Sequence, residues 1–142
     1  MSSYADTSFL VSLYVLDANS ALVAEQMRAA KLPILLTHLG ELELANALYL
    51  RLSRKELAPS KVKAAHTLFT KDIADGIYQL KPLLPTTFER AKLIARTQTP
   101  RLGTRTLDVL HVASALILQA DIFYTCDRNQ GKLAEAEGLT VP

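Results

Sequence analysis

The sequence has few of the residues that build disulfide frameworks, zinc-thiolate sites or membrane spans. Its 142 residues include one cysteine, Cys126, and no tryptophan. A single cysteine excludes an intramolecular disulfide and a cysteine-rich zinc site, and it suits a reducing compartment. No apolar run reaches the roughly 18 residues of a membrane-spanning helix. Asp6 precedes the first apolar stretch and no lysine or arginine does, so we expect no signal peptide and a cytoplasmic location.

The charge is nearly balanced, with 16 Lys and Arg against 14 Asp and Glu, for a formal net charge of +2. This balance excludes a strongly basic, histone-like nucleic-acid binder. Apolar residues make up 49% of the chain, so a sizeable core can form and disorder is not expected. Gly and Pro are sparse, and no repeat or linker divides the sequence. We therefore expect residues 1–142 to form a single domain.

Short apolar runs predict buried strands, and the longer segments between them have helical character. The predicted strands are Ser3–Ala5, Ile34–Thr37, Tyr78–Lys81 and Ile122–Thr125, with Thr140–Pro142 as a weak fifth. These runs are too apolar for a sheet with one face in water, and helices separate them in the sequence. This pattern is typical of a parallel sheet covered on both faces. We expect a three-layer α/β/α sandwich with a central parallel sheet of four to five strands.

Seven segments predict helices, and hydroxyl side chains are the expected caps of most of them. The first helix is capped by Ser8 and runs through Tyr14, the second is capped by Ser20 and runs from Ala21 to Ala30, and the third runs from about Leu39 to Arg54. The fourth is capped by Ser60 and ends near Gly76, and the fifth runs from Thr86 or Thr87 to Gln98. The sixth is capped by Thr106 and runs through Gln119, and the last is Arg128–Glu137, closed by Gly138.

Four carboxylates are expected at the carboxyl edge of the sheet, where ligands gather in such folds. Asp6 and Asp127 follow predicted strands, Glu43 lies early in a helix that follows a strand, and Asp108 lies in the first turn of a helix leading back to one. Each also has a local structural interpretation. Asp6 fits a turn, Asp127 fits a helix cap, and Asp108 fits a favourable position in the helix dipole.

Four converging carboxylates would destabilise a fold, because a pair about 5 Å apart repels by roughly 3 kcal/mol at an effective dielectric constant of about 20. A cation would relieve this repulsion, and an all-oxygen site suits Mg²⁺ or Mn²⁺. Setting these four aside leaves ten of the 14 acidic residues against 16 Lys and Arg. An acidic metal pocket on a basic surface is typical of a nuclease. Candidates for RNA contact near this edge are Arg101, Arg105, Arg128 and Lys132.

Four segments resemble the acidic motifs of the PIN domain family, in order along nearly the whole chain. They are Tyr4-Ala5-Asp6-Thr7-Ser8, Glu43-Leu44-Ala45-Asn46-Ala47-Leu48, Arg105-Thr106-Leu107-Asp108-Val109-Leu110-His111-Val112-Ala113-Ser114-Ala115 and Thr125-Cys126-Asp127. The sequence is most similar to the VapC type of toxin ribonuclease from prokaryotic toxin–antitoxin pairs. The second motif also contains Glu41, and the family pattern selects Glu43.

The resemblance implies a Mg²⁺- or Mn²⁺-dependent endoribonuclease that cuts single-stranded or loop RNA. Its metal-holding and catalytic residues would be Asp6, Glu43, Asp108 and Asp127. The hydroxyls of Thr7 or Ser8, and of Thr125, would hydrogen-bond the carboxylates or the water molecules around the metal. The resemblance also implies a small antitoxin as partner and a homodimer.

Other interpretations stay open at this stage. A PIN-like module that binds RNA or protein without cleaving it is the main alternative. A phosphoacceptor receiver domain fits poorly, because Pro82 and not an aspartate follows the third predicted strand. His38 is a candidate for contact with RNA or metal. His111 lies one turn beyond Asp108, so it either orients that carboxylate or is a hydrogen-bonded histidine of the core.

Overall fold

The computed structural model describes residues 1–142 and contains seven helices and four strands. The strands are β1 (Ser3–Ala5), β2 (Ile34–Thr37), β3 (Tyr78–Lys81) and β4 (Ile122–Tyr124). The helices are α1 (Thr7–Tyr14), α2 (Ser20–Ala29), α3 (His38–Ser53), α4 (Pro59–Ala74), α5 (Pro85–Leu102), α6 (Thr106–Ile117) and α7 (Arg128–Ala136). No helix is both long and apolar enough to cross a bilayer.

The four strands form one parallel sheet in the order β3-β2-β1-β4. In the register, Tyr4 of the central strand β1 lies opposite Leu35 on one side and Phe123 on the other. The weak fifth strand is reduced to one parallel bridge between Ile122 and Thr140. The predicted three-layer sandwich with a parallel sheet of four to five strands is therefore confirmed, with four strands.

Helices cover both faces of the sheet. Neighbouring residues of a strand point to opposite faces, so each strand contributes side chains to both helical layers. Ala5 belongs to a buried cluster with side chains of α1, α2, α3 and α4. The preceding residue, Tyr4, belongs to a second cluster with side chains of α5, α6 and α7. β1 thus lies between two cores, and the residues that follow it emerge at an edge to which both layers contribute.

The strand predictions were accurate, but most of the predicted helix caps were wrong. Three strands have the predicted bounds, and β4 ends one residue early. Asp6, not Ser8, is the N-cap of α1, and its side chain accepts the Phe9 N–H. Ser20 is the first residue of α2 and not its N-cap, and its hydroxyl donates to the carbonyl of Ser12 in the last turn of the preceding helix.

Proline changes the starts of two helices that were predicted to open with hydroxyl caps. α4 begins at Pro59 and α5 begins at Pro85, because proline lacks the N–H that is unsatisfied in the first turn. Ser60 therefore lies inside its helix. Thr106 is the first residue of α6 and makes no capping bond.

Helix α5 is longer than predicted. It passes Gln98 and includes Pro100, whose missing N–H leaves one helical hydrogen bond unmade. The helix ends where Gly103 adopts a left-handed conformation with φ of 64°. The Gly103 N–H donates a hydrogen bond to the carbonyl oxygen of Thr99 at 2.8 Å. The stop signal is therefore the glycine and not the proline.

Candidate active site

The carboxyl edge of the sheet brings together elements that carry all four predicted carboxylates. Asp6 follows β1 directly, and Asp127 lies three residues after the end of β4. Glu43 lies in the second turn of α3, which begins immediately after β2, and Asp108 lies in the first turn of α6. The order of strands therefore places these side chains on one side of the molecule.

Asp6 is buried and fully engaged in hydrogen bonds. Its Oδ1 accepts the Phe9 N–H at 3.0 Å and the Ser8 hydroxyl at 2.7 Å, while its Oδ2 accepts the Thr125 hydroxyl. Burial raises the pKa of the Asp6 carboxyl, and the hydrogen bonds from Thr125, Ser8 and Phe9 oppose this effect only in part. The side chain is thus both the cap of α1 and a rigidly held carboxylate at the sheet edge.

Glu43 is anchored through only one of its two oxygen atoms. Its Oε1 accepts the Thr7 hydroxyl at 2.8 Å and also bonds Nε2 of His111. Burial raises the pKa of Glu43, but the hydrogen bond and charge of His111, with the bond from Thr7, outweigh it, so the net pKa is lowered. None of these bonds uses Oε2. That oxygen is available to a ligand.

Asp6 and Glu43 form one pair of carboxylates, and Asp108 and Asp127 form a second pair. Burial raises the pKa of Asp108, and the negative charge of Asp127 raises it further. The nearest cation to Asp108 is Arg105, whose Nε lies 4.0 Å from Oδ2. Asp127 is the N-cap of α7, and its Oδ1 accepts the Gln130 N–H at 3.0 Å. The two acids therefore share one region without a strong bond to a positive group.

His111 connects the two pairs. A positive charge on its imidazole would lower the pKa of Asp6, Glu43 and Asp108, so all three carboxylates lie within its electrostatic range. The carboxylates do not converge at ligating distances: no three His, Cys, Asp or Glu side chains are grouped so as to hold a metal ion. Asp6 and Glu43 are instead turned to the hydroxyls and imidazole beside them.

The donor set nevertheless fits a hard divalent cation in its chemistry. The site offers carboxylate oxygens and no thiolate ligand, which is the preference of Mg²⁺ and Mn²⁺. The free Oε2 of Glu43 and the repulsion between Asp108 and Asp127 leave negative charge for a cation to neutralise. The residues therefore fit such a group in the chemistry of their oxygen ligands.

The predicted hydroxyl residues all contact the carboxylates. Thr7 bonds Glu43, and both Ser8 and Thr125 bond Asp6. Ser8 also lies 3.2 Å from Thr125, which links the start of α1 to the end of β4.

The predicted RNA-contact residues are exposed and make few contacts within the protein. Arg101 donates to the Gln98 side chain, and Arg105 is the residue beside Asp108. Arg128 and Lys132 are exposed on α7. Glu41 lies on a different face of α3 from Glu43 and pairs with His38, so neither of these residues points to the carboxylates.

A cleft of about 430 Å³ lies between α5 and α6. Phe88, Lys92, Thr104 and Val109 are among the residues that line it, and none of the four carboxylates does. The cleft is therefore not the candidate site.

Comparison with known proteins decides the family. A family model described as PIN domain matches residues 3–136. The chain belongs to the PIN domain family. PIN domains are generally nucleases, and this PIN domain carries an acid in each of the four motifs on which the resemblance rests.

The fold of this PIN domain is similar to that in the crystal structure of PAE2754 from Pyrobaculum aerophilum. The two sequences are 17% identical, and the TM-score is 0.64. The alignment covers 99% of this chain and 89% of the other. A comparison with curated proteins found no match.

The bond between His111 and Tyr4 was missed in the sequence. The Tyr4 hydroxyl lies 2.7 Å from Nδ1 of His111, and both side chains are buried. One signal was visible, since His111 lies three residues after Asp108 on the same helix. Its partners are Tyr4 of β1, Glu43 of α3 and the Thr7 hydroxyl of α1, which lies 3.4 Å from Nε2. The contacts therefore depend on how four elements pack and not on spacing within one of them.

Proposed function

We propose that this PIN domain is a divalent-metal-dependent endoribonuclease that hydrolyses phosphodiester bonds of single-stranded or loop RNA. The observation that carries the proposal is the placement of Asp6, Glu43, Asp108 and Asp127 at one sheet edge of a chain in a nuclease family. Mg²⁺ or Mn²⁺ is the cation that this donor set favours.

Some residues of the site hold the carboxylates in place, and others add negative charge that attracts the cation. Ser8 and Thr125 fix the carboxylate of Asp6, and Thr7 and His111 fix that of Glu43. Asp108 and Asp127 add negative charge that attracts the cation. A divalent cation held by Asp6, Glu43, Asp108 and Asp127 would supply polarisation of the phosphodiester and neutralisation of the charge that develops during in-line attack by water.

The basic residues beside this edge would hold the RNA chain. Arg101, Arg105, Arg128 and Lys132 are exposed, so they are free to contact phosphates on either side of the bond that is cut. Such contacts position the substrate without reading its sequence.

We further propose that the ribonuclease is the toxin of a cytoplasmic VapBC-type toxin–antitoxin pair and acts as a homodimer. The resemblance to VapC proteins supports this assignment. An apolar groove beside α1 and α4 gives a partner peptide a surface to bind, and it is lined by Tyr14, Val15, Leu16 and Leu68 among others. Leu16 is 93% exposed and Leu68 is 49% exposed, so the groove presents an apolar patch of the kind that marks interaction sites.

A second candidate is a PIN-like module that binds RNA or protein without cleaving it. The observation that favours it is the lack of any three acidic or histidine side chains grouped at ligating distance. Such a module has no need of a divalent cation, so metal binding separates the two candidates.

The decisive experiment combines metal titration with cleavage. Wild-type protein is incubated with a labelled single-stranded RNA in Mn²⁺, in Mg²⁺ and in EDTA, and Mn²⁺ binding is measured without RNA. We expect cleavage that EDTA stops and that the Asp108→Asn substitution abolishes. Full activity in EDTA would overturn the metal dependence, while Mn²⁺ binding too weak to detect would favour the non-cleaving module.

The toxin assignment has its own test. Expression of the wild-type chain alone should slow growth, and co-expression of the antitoxin encoded beside it should restore growth. Harmless expression of an active enzyme would overturn the toxin assignment and leave the ribonuclease assignment standing.

A further inference from the structure

A buried chain of hydrogen bonds runs from the central strand to the Glu43 carboxylate. The Tyr4 hydroxyl lies 2.7 Å from Nδ1 of His111, and Nε2 of the same ring bonds Oε1 of Glu43. These hydrogen bonds join β1, α6 and α3. Tyr4 is fully buried and His111 is 3% exposed, so water does not compete for the bond between them.

The chemistry of the end groups determines the direction of the chain. The Glu43 carboxylate has no hydrogen to donate, so it can only accept a hydrogen bond from Nε2 of His111. Nε2 of His111 must therefore carry the hydrogen. Nδ1 of the same ring is then the acceptor, and the Tyr4 hydroxyl, 2.7 Å away, donates to it. Tyr4 thereby favours the imidazole tautomer that donates to Glu43.

Tyr4 is itself held in place by aromatic packing. Its ring stacks on Phe123 of the neighbouring strand, with centroids 5.5 Å apart, and meets the His111 ring edge-on at 5.9 Å. Two strands and one helix thus fix the ring that orients the imidazole. Rigid support of this kind keeps a carboxylate in one rotamer while its other oxygen stays free.

We propose that Tyr4 and His111 are positioning residues that fix the carboxylate of Glu43 through Oε1 and leave Oε2 for the divalent cation. This inference rests on the proposed metal-dependent function. His111 is then more than a hydrogen-bonded core residue, because its loss changes metal affinity as well as stability. Hydrogen-bond partners behind a metal ligand commonly change metal affinity by about 10- to 100-fold when they are removed.

The test uses variants that remove different hydrogen bonds from the series linking Tyr4, His111 and Glu43. Tyr4→Phe removes only the phenol oxygen and keeps the aromatic packing. His111→Leu removes both ring nitrogens, and His111→Gln restores an amide N–H that can reach Glu43. Tyr78→Phe is the matched control, since it also removes a buried tyrosine hydroxyl from the sheet, one that contacts Tyr14 instead of the site.

Mn²⁺ affinity of the full chain is measured without RNA, by electron paramagnetic resonance of the free ion, at a temperature where circular dichroism shows each variant to be folded. We expect His111→Leu to weaken binding by about tenfold or more, with Tyr4→Phe intermediate. His111→Gln should recover most of the loss. Tyr78→Phe should bind Mn²⁺ like wild type.

Wild-type affinity in both folded Tyr4→Phe and His111→Leu would overturn the positioning role and leave the ribonuclease proposal intact. If His111→Leu does not fold, Tyr4→Phe with its Tyr78→Phe control decides the question alone. Undetectable binding of Mn²⁺ to the wild-type chain would overturn the metal site itself, and this inference with it. Equal loss in Tyr4→Phe and Tyr78→Phe would assign the effect to general loosening of the sheet.

Discussion

Glu43 illustrates how one side chain can be held by the protein and still keep an oxygen for a ligand. Both of its internal bonds end on Oε1, one from Thr7 and one from His111. Asp6 has a different arrangement, because bonds reach both of its oxygens. The two carboxylates therefore differ in how many of their oxygens are held, and also in pKa, which is lowered for Glu43 and raised for Asp6.

Glu41 and Glu43 provide a matched pair of acids on one helix. They are two residues apart, about 200° around a helix, so they cannot face the same cation. We expect Glu43→Gln to abolish RNA cleavage and Glu41→Gln to leave it nearly unchanged, because Glu41 pairs only with exposed His38. Single-turnover cleavage rates of the two variants in saturating Mn²⁺ measure this difference. The opposite ranking would remove Glu43 from the site.

Asp127 has two roles that substitutions can separate. As the N-cap of α7 it accepts the Gln130 N–H, and its charge acts on Asp108. Asn caps a helix as well as Asp, whereas Ala loses the cap at a cost of about 1 kcal/mol. We therefore expect Asp127→Asn to keep wild-type stability but cleave more slowly, and Asp127→Ala to lose both.

Urea denaturation and cleavage rates over a range of Mn²⁺ concentrations check this separation for Asp127. Wild-type turnover in the Asn variant at every concentration would make the residue a cap only, and the site would consist of three carboxylates.

At the scale of elements, strands were easier to predict than helix ends. The strands are short apolar runs bounded by polar residues, and burial on both faces makes each run visible in the sequence. Helix ends depend on which of several adjacent residues takes the capping conformation. Asp6 and Ser8 were both able to cap α1, and the turn after β1 selected Asp6. Sequence spacing alone does not resolve a choice between two capping residues only two positions apart.

Two glycines in helical regions allow a comparison of conformational effects. Gly103 ends α5 with φ of 64°, whereas Gly40 lies in the first turn of α3 without a positive φ. A Cβ atom would meet nothing within 4 Å at either position, so contacts do not decide the outcome. We expect Gly103→Ala to lower the free energy of unfolding by about 1 kcal/mol, because Ala rarely adopts this conformation.

Gly40→Ala should instead raise the free energy of unfolding by roughly 0.5–1 kcal/mol, because Ala loses less conformational entropy in a helix. Urea unfolding of the two variants beside wild type measures both signs. A similar effect of the two substitutions would show that the left-handed turn does not control the end of α5.

For the whole molecule, the order of strands and helices predicted which carboxylates lie at the carboxyl edge of the sheet, but it did not predict the contacts that they make there. Placing Asp6, Glu43, Asp108 and Asp127 at one edge needed only the direction of parallel strands. The bonds of His111 to Tyr4 and Glu43 needed the relative packing of β1, α3 and α6. Such packing depends on the shapes of many side chains together, and that information does not lie in any one motif.

The stability of the metal-free fold should depend on Asp108 and on pH. Burial and the charge of Asp127 raise the pKa of Asp108 above its ordinary value of 3.8. A carboxyl whose pKa is raised by folding favours the folded state when protonated, and this contribution is lost as the pH rises through the raised pKa. At neutral pH the ionised Asp108 therefore destabilises the metal-free protein. Asp108→Asn removes that charge while nearly keeping the shape of the side chain.

We expect metal-free Asp108→Asn to melt at a higher temperature than wild type at pH 7. Its advantage should shrink as the pH falls through the raised pKa of Asp108, where the wild-type carboxyl becomes protonated too. Mn²⁺ should reverse the order at pH 7, because a ligand that binds only the folded state stabilises the protein that binds it more tightly. Melting curves in EDTA and in Mn²⁺ at several pH values measure these effects, with exposed Glu25→Gln as the control for removing one negative charge. A lower melting temperature for metal-free Asp108→Asn at pH 7 would mean that Asp108 stabilises the start of α6 and is not a carboxylate held at a cost for a cation.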